Sequence, residues 1–182
     1  LLWRPPPLKS IYQNKRFIFD KPILILCNKY NTEWGHPPIT FFSVEMLDKI
    51  MTCLTPKFQI IYCRPGSKEI TDDGSQINDL KDHDFIKKKH PNVKLIQDLH
   101  KENKDLSFNL LQLMCFSNAN HFITVQGGYS ILCSYFKGTN IVYGARSKKR
   151  TADEIVYKAY DRWYHKFSGS KVNYCDSYDK II

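Results

Sequence analysis

Residues 118–144, NANHFITVQGGYSILCSYFKGTNIVYG, constrain the fold of this chain more than any other stretch. The pattern predicts a strand at His121–Val125, a turn at Gly127 and Gly128, a short helix over 129–136 and a second strand over 140–143. Strands joined by a helical crossover pair in parallel, and a parallel pair needs cover on both faces. A strand that turns through glycines into a helix also aims several backbone N–H groups, and the positive helix end, at one point. Such a point suits a phosphate or diphosphate.

The rest of the chain repeats the alternation. Ile23–Cys27 is a continuous apolar run of strand length, as a strand buried on both faces requires. Ser43 is placed to cap a helix running to about Leu54. A second strand follows at 58–63, then a charged helix at Asp82–Lys89, ended by His90-Pro91. The pattern gives a third strand over 93–96, a helix over 106–117, a helix over 153–167, a sixth strand over 172–175 and the start of a last helix over 177–182. The expected fold class is α/β: a Rossmann-like, doubly wound, mainly parallel sheet of about six strands. Residues 1–21, with Pro5-Pro6-Pro7, read as a Pro-rich linker or strap, and 22–182 as a Rossmann-like domain.

Composition narrows the setting. The 182 residues suffice for one domain with a core but not for two of ordinary size. No apolar run approaches the roughly 18 residues of a membrane span, and no signal peptide precedes the first strand. A start at Leu1 rather than Met suggests a domain cut from a longer protein. The six cysteines include no C-x-x-C pair, and the histidines show no metal spacing, so reduced and mostly buried thiols in a cytoplasmic, reducing compartment are expected. A net charge of +9 favours anionic partners. Much of it lies in two runs, at 87–90 and 146–150, of the kind that usually makes solvated faces.

In an open parallel sheet, ligands bind beyond the carboxyl ends of the strands. Asn28, Lys29, Trp34 and His36 follow the first strand; Arg64 and Lys68 follow the second; Asp98 and Leu99 follow the third; Gln126, Gly127, Gly128, Tyr129 and Ser130 follow the fourth. Arg64 and Lys68 form an R-x-x-x-K loop able to neutralise a diphosphate, arginine by a planar fork and lysine as a point charge. Each group has a plainer reading: a tight turn for the glycines, a cap for Ser130 or Asp98, an ordinary solvated loop for Arg64 and Lys68. His36 is a weak candidate for a general base. A dinucleotide fingerprint belongs after the first strand, where this chain has CNKYNTEWG, and there is no P-loop.

The QGGYS turn, the following SYFKGTNIVY and the R-x-x-x-K loop resemble the C-terminal, sugar-nucleotide donor domain of GT-B glycosyltransferases. More loosely, V-x-G-G-x-S followed by YF-x-GTNI is similar to a group of small glycosyltransferase-like proteins of bacteria and large DNA viruses. The resemblance implies metal-independent transfer from a nucleoside-diphosphate sugar to a glycan or protein acceptor, with no cofactor. Arg64, Lys68, Gln126, Gly127, Gly128, Tyr129 and Ser130 would hold diphosphate or sugar, with Asn28 and Lys29 as weaker candidates. Asp98 and Leu99 would meet the nucleoside. The acidic residue that many GT-B families place after the glycine turn is absent, since Ser130 is followed by Ile-Leu-Cys-Ser. The acceptor-binding half, and with it the catalytic base, would lie upstream of this chain. Asp72-Asp73 is similar to the acidic metal motif of GT-A enzymes, but its Gly- and Ser-rich setting reads as turn chemistry. Two alternatives stay open: a basic nucleic-acid-binding module, suggested by the charge and 25 aromatic residues (11 Tyr, 11 Phe, 3 Trp), and another Rossmann-like transferase.

Overall fold

A computed structural model describes residues 5–32, 36–64, 76–145 and 168–182. The helix expected over 153–167, the basic run at 146–150, and Trp34, Lys68, Asp72 and Asp73 lie outside the described residues.

Six parallel strands form the main sheet: β1 (Ile23–Cys27), β3 (Gln59–Cys63), β5 (Lys94–Leu95), β6 (His121–Val125), β7 (Thr139–Tyr143) and β8 (Lys171–Cys175). Their order is β5-β3-β1-β6-β7-β8. The chain starts in the middle, builds outward to β5, returns to the other side of β1 and builds outward again. Numbered by sequence within this sheet, that is the 3-2-1-4-5-6 order of the doubly wound Rossmann fold. β1 and β6 are neighbours, with Leu24 opposite His121 and Cys27 opposite Thr124, so the chain segments that leave their carboxyl ends are neighbours as well.

Alternation along each strand divides the core into two layers. Leu24, Leu26, Ile60, Tyr62, Ile123 and Val125 face α2 (Val44–Leu54) and α3 (Asp82–Lys89). Ile23, Ile25, Cys27, Ile61, Cys63 and Phe122 face α4 (Ile96–Glu102), α5 (Phe108–Ser117) and α6 (Gly128–Ser134). Ser43 caps α2 by accepting the Met46 N–H at 3.2 Å, and Ser107 caps α5 by accepting that of Leu110 at 3.3 Å.

Two local expectations need correction. The third strand holds only Lys94–Leu95, because Ile96 opens α4: Ile96 and Leu99, three apart, form the buried stripe of a helix. The expected last helix is a single 3-10 turn at Tyr178–Lys180. In the segment that follows β1, β2 (Asn31–Thr32) pairs antiparallel with β4 (Gln76–Ile77) in a small second sheet.

The prolines of the N-terminal strap lead into a short helix, α1 (Leu8–Tyr12), where their missing N–H groups cost nothing. The strap is fastened across α5. Asn118 donates to Asn14 O (3.0 Å) and Phe17 O (2.8 Å), Ser117 donates to Tyr12 O (2.7 Å), and Phe17 is buried in the core.

Candidate functional site

The reversal of strand order between β1 and β6 places two chain segments against each other. From β6 comes Gln126-Gly127-Gly128, which turns into α6. Gly127 has φ +146°, a conformation open to glycine but strained for other residues. From β1 comes Lys29, half-buried, whose ammonium lies against the same turn: a Cβ built on Gly127 would stand 3.6 Å from Lys29 Nζ. A cation and a backbone surface without side chains thus share the crevice where open α/β sheets take their ligands.

Ser130, the expected phosphate donor, serves the turn. Its hydroxyl donates to Gly127 O (2.7 Å) and accepts the Gly127 N–H (3.2 Å), and the side chain is buried. Helix α6 has only seven residues. Tyr129 turns toward α5, its hydroxyl 3.4 Å from Gln112 Oε1 and its ring against Phe116. Gln126 stays beside the crevice, its N–H donating to Tyr143 O at 2.8 Å.

The GTN segment behind the turn is a buried staple. Asn140 donates to Ser130 O (3.0 Å) and Ser134 Oγ (3.2 Å) and accepts from Thr124 Oγ1 (3.0 Å), tying α6, β6 and β7 together. Gly138, at φ +75°, passes so close to Asn120 that an added Cβ would lie 2.3 Å from its carbonyl oxygen.

On the β1–β3 side the polar groups form a second buried network. The Asn28 side chain uses all four of its hydrogen-bonding positions. Nδ2 donates to Phe42 O (3.0 Å) and Tyr62 Oη (3.1 Å), while Oδ1 accepts the N–H groups of Phe42 (2.8 Å) and Lys29 (2.9 Å). Tyr62 donates in turn to Asp82, whose carboxylate also receives the Arg64 fork, Nε at 2.7 Å and Nη2 at 2.6 Å. Burial pushes the Asp82 carboxyl up, but the hydrogen bonds from Arg64 and Tyr62 and the charge of Arg64 more than offset this and hold it below the usual carboxylate range. Burial and the adjacent Asp82 charge push the Tyr62 phenol well up, so it remains a donor.

The expected site residues therefore separate. Lys29, Gln126, Gly127 and Gly128 come together. Arg64 is buried, with two of its nitrogens on Asp82 and Nη1 3.3 Å from Asn78 O, and Asn28 holds the loop. Asp98 is not in a loop after the third strand but on α4, paired with Lys87 (2.8 Å) and Lys101 (3.1 Å), and Leu99 packs in the core. His36 is exposed. Lys29 was readable from the sequence only as a neighbour of β1. Its importance comes from the β1–β6 adjacency, which no local motif encodes. The buried partners Tyr62 and Asp82 carry no motif at all.

Two concavities of about 530 and 460 Å³ open at the opposite edge, near Lys21, Phe58 and Lys94 and near Lys9, Asn14 and Asn118. They lie at the amino ends of the strands, away from the crevice that the strand order defines. Among the described residues no helix is long and apolar enough to cross a membrane. No protein-family model, curated protein or solved structure matches the chain.

Proposed function

We propose that this chain is the donor-binding domain of a glycosyltransferase, one that moves a sugar from a nucleoside-diphosphate sugar to a glycan or protein acceptor. The observation that carries the reading is the meeting of Lys29 Nζ and the Gly127–Gly128 turn at the strand-order reversal. In such a transfer the bond from the anomeric carbon to the β-phosphate oxygen breaks as the acceptor oxygen attacks, and negative charge collects on the departing diphosphate. A fixed cation beside a backbone surface that a phosphate can approach closely stabilises that charge. Lys29 takes the part that the R-x-x-x-K loop suggested for Arg64, because the guanidinium of Arg64 is engaged with Asp82.

The test is thermal denaturation with UDP, GDP, TDP and ADP, with S-adenosylmethionine run in parallel. One diphosphate should raise the melting temperature, since a ligand at 100 times its Kd stabilises the folded state by about 2.7 kcal/mol. Lys29→Gln should shrink the shift at the same ligand concentration, with a weaker but measurable Kd. If none of the four stabilises the protein at millimolar concentration, the proposal is wrong, and a shift with S-adenosylmethionine alone would point to a methyltransferase.

A further inference from the structure

The buried chain Arg64–Asp82–Tyr62–Asn28 ends on the backbone of Lys29, and we propose that it is a positioning relay that sets Lys29 over the glycine turn. This rests on the donor-site reading for its purpose, though its geometry can be tested without a ligand. Each link fixes the next by donor and acceptor logic. Arg64 holds Asp82 as a carboxylate, which can only accept. Tyr62 must then donate to Asp82 and present its oxygen lone pairs to Asn28. That choice turns the Asn28 amide so that its nitrogen faces Tyr62 and its oxygen faces the N–H groups of Lys29 and Phe42. The two ends of the loop, residues 28–29 and residue 42, are thereby clamped to one amide. The first of them carries the crevice cation. Arg64, placed by sequence among the ligand-binding groups, acts on the site through three other side chains instead.

Tyr62→Phe removes the central hydroxyl and keeps the ring. In ligand-free protein, the amide protons of Lys29 and Phe42 should exchange faster, and the amide resonances of Gly127 and Gly128 should shift as the Lys29 side chain leaves them. With the diphosphate that stabilises the wild type, the Kd should rise about three- to tenfold, the worth of one lost hydrogen bond. Measured in a Lys29→Gln background, Tyr62→Phe should weaken binding no further. Ser117→Ala, which removes a hydroxyl bonded to the distant strap, is the control for general destabilisation: it should lower the melting temperature and leave Kd and the glycine resonances unchanged. Unchanged exchange and unchanged glycine resonances in Tyr62→Phe would overturn the relay whether or not any diphosphate binds. An equal loss of affinity with and without Lys29 would overturn it too. Absence of diphosphate binding in the wild type, with the resonance shifts present, would sink the donor reading and leave the relay standing.

Discussion

Asp82→Asn is the substitution that most sharply separates a buried structural arginine from a ligand-binding one. Arg64 and Asp82 have side-chain exposures of 3% and 1% and meet in a two-bond fork. Replacing the carboxylate by an amide keeps the shape and one acceptor oxygen but removes the charge that the buried guanidinium is forked to. Removing one member of a buried pair costs about 3–5 kcal/mol, and the retained acceptor puts the expected loss near the lower end. For a chain of this length about 3 kcal/mol corresponds to a drop of roughly 6–12 °C in melting temperature. Urea denaturation at equal m-value is the direct assay. Because a buried pair repays its desolvation poorly, the double variant Arg64→Met with Asp82→Leu should lose less than Asp82→Asn alone, the remaining loss of about 1–3 kcal/mol coming from the Tyr62 hydroxyl left without its acceptor. The pH dependence has a definite sign. Asp82 is held below its ordinary value in the folded state, so its contribution is fully present above about pH 4 and is lost as pH falls through the folded pKa. The gap between wild type and Asp82→Asn should be constant from pH 5 to 8 and close in acid. An Asp82→Asn protein within 0.5 kcal/mol of the wild type would refute the argument and return Arg64 to the list of candidate ligand-binding groups.

Two further outcomes follow from the backbone and the thiols. Gly138→Ala should cost about 2–4 kcal/mol in urea denaturation, since it combines a left-handed φ with a Cβ 2.3 Å from Asn120 O. Gly128→Ala, which meets nothing within 4 Å, should be neutral or stabilising by up to about 1 kcal/mol. Of the six free cysteines only Cys53 is exposed, and burial pushes the thiols of Cys27, Cys63, Cys115 and Cys133 up, so one equivalent of an aromatic disulfide reagent should be consumed in native protein and six in denaturant.

The strands that could be read from sequence are those whose burial is written in consecutive residues. Ile23–Cys27 and His121–Val125 are apolar on both faces because helices cover both, and their limits were legible. The third strand was misread because Val93, Leu95 and Ile96 are apolar for two reasons, the first two facing the core from the strand edge and the last from a helix. The short pairing of Asn31–Thr32 with Gln76–Ile77 joins segments 45 residues apart, a separation that leaves no periodic trace. At the site, the glycine turn was legible from Gly127 and Gly128 alone. Which cation reaches it depends on strand order, and no local pattern distinguishes an Arg64 aimed at solvent from one folded back onto Asp82.

Both sides of the crevice are stapled from behind, by opposite chemistry. Behind the glycine turn the bonds are neutral: Thr124, Asn140 and Ser134 hold α6 to the sheet, and Ser170 donates to Ser134 O at 2.7 Å. Behind Lys29 they are ionic, running through Asp82 and Arg64. Of the YF-x-GTNI segment, Asn140 belongs to the neutral staple, Phe136 packs in the core and Gly138 lies close against Asn120, so these residues serve the packing behind the turn. On the proposed donor reading, Gly127 and Gly128 both carry the motif and face the ligand, while Asn140 holds them from behind. On that reading a test of ligand identity varies the segments that follow β1 and β3 rather than the glycines, whose bare backbone any diphosphate can approach.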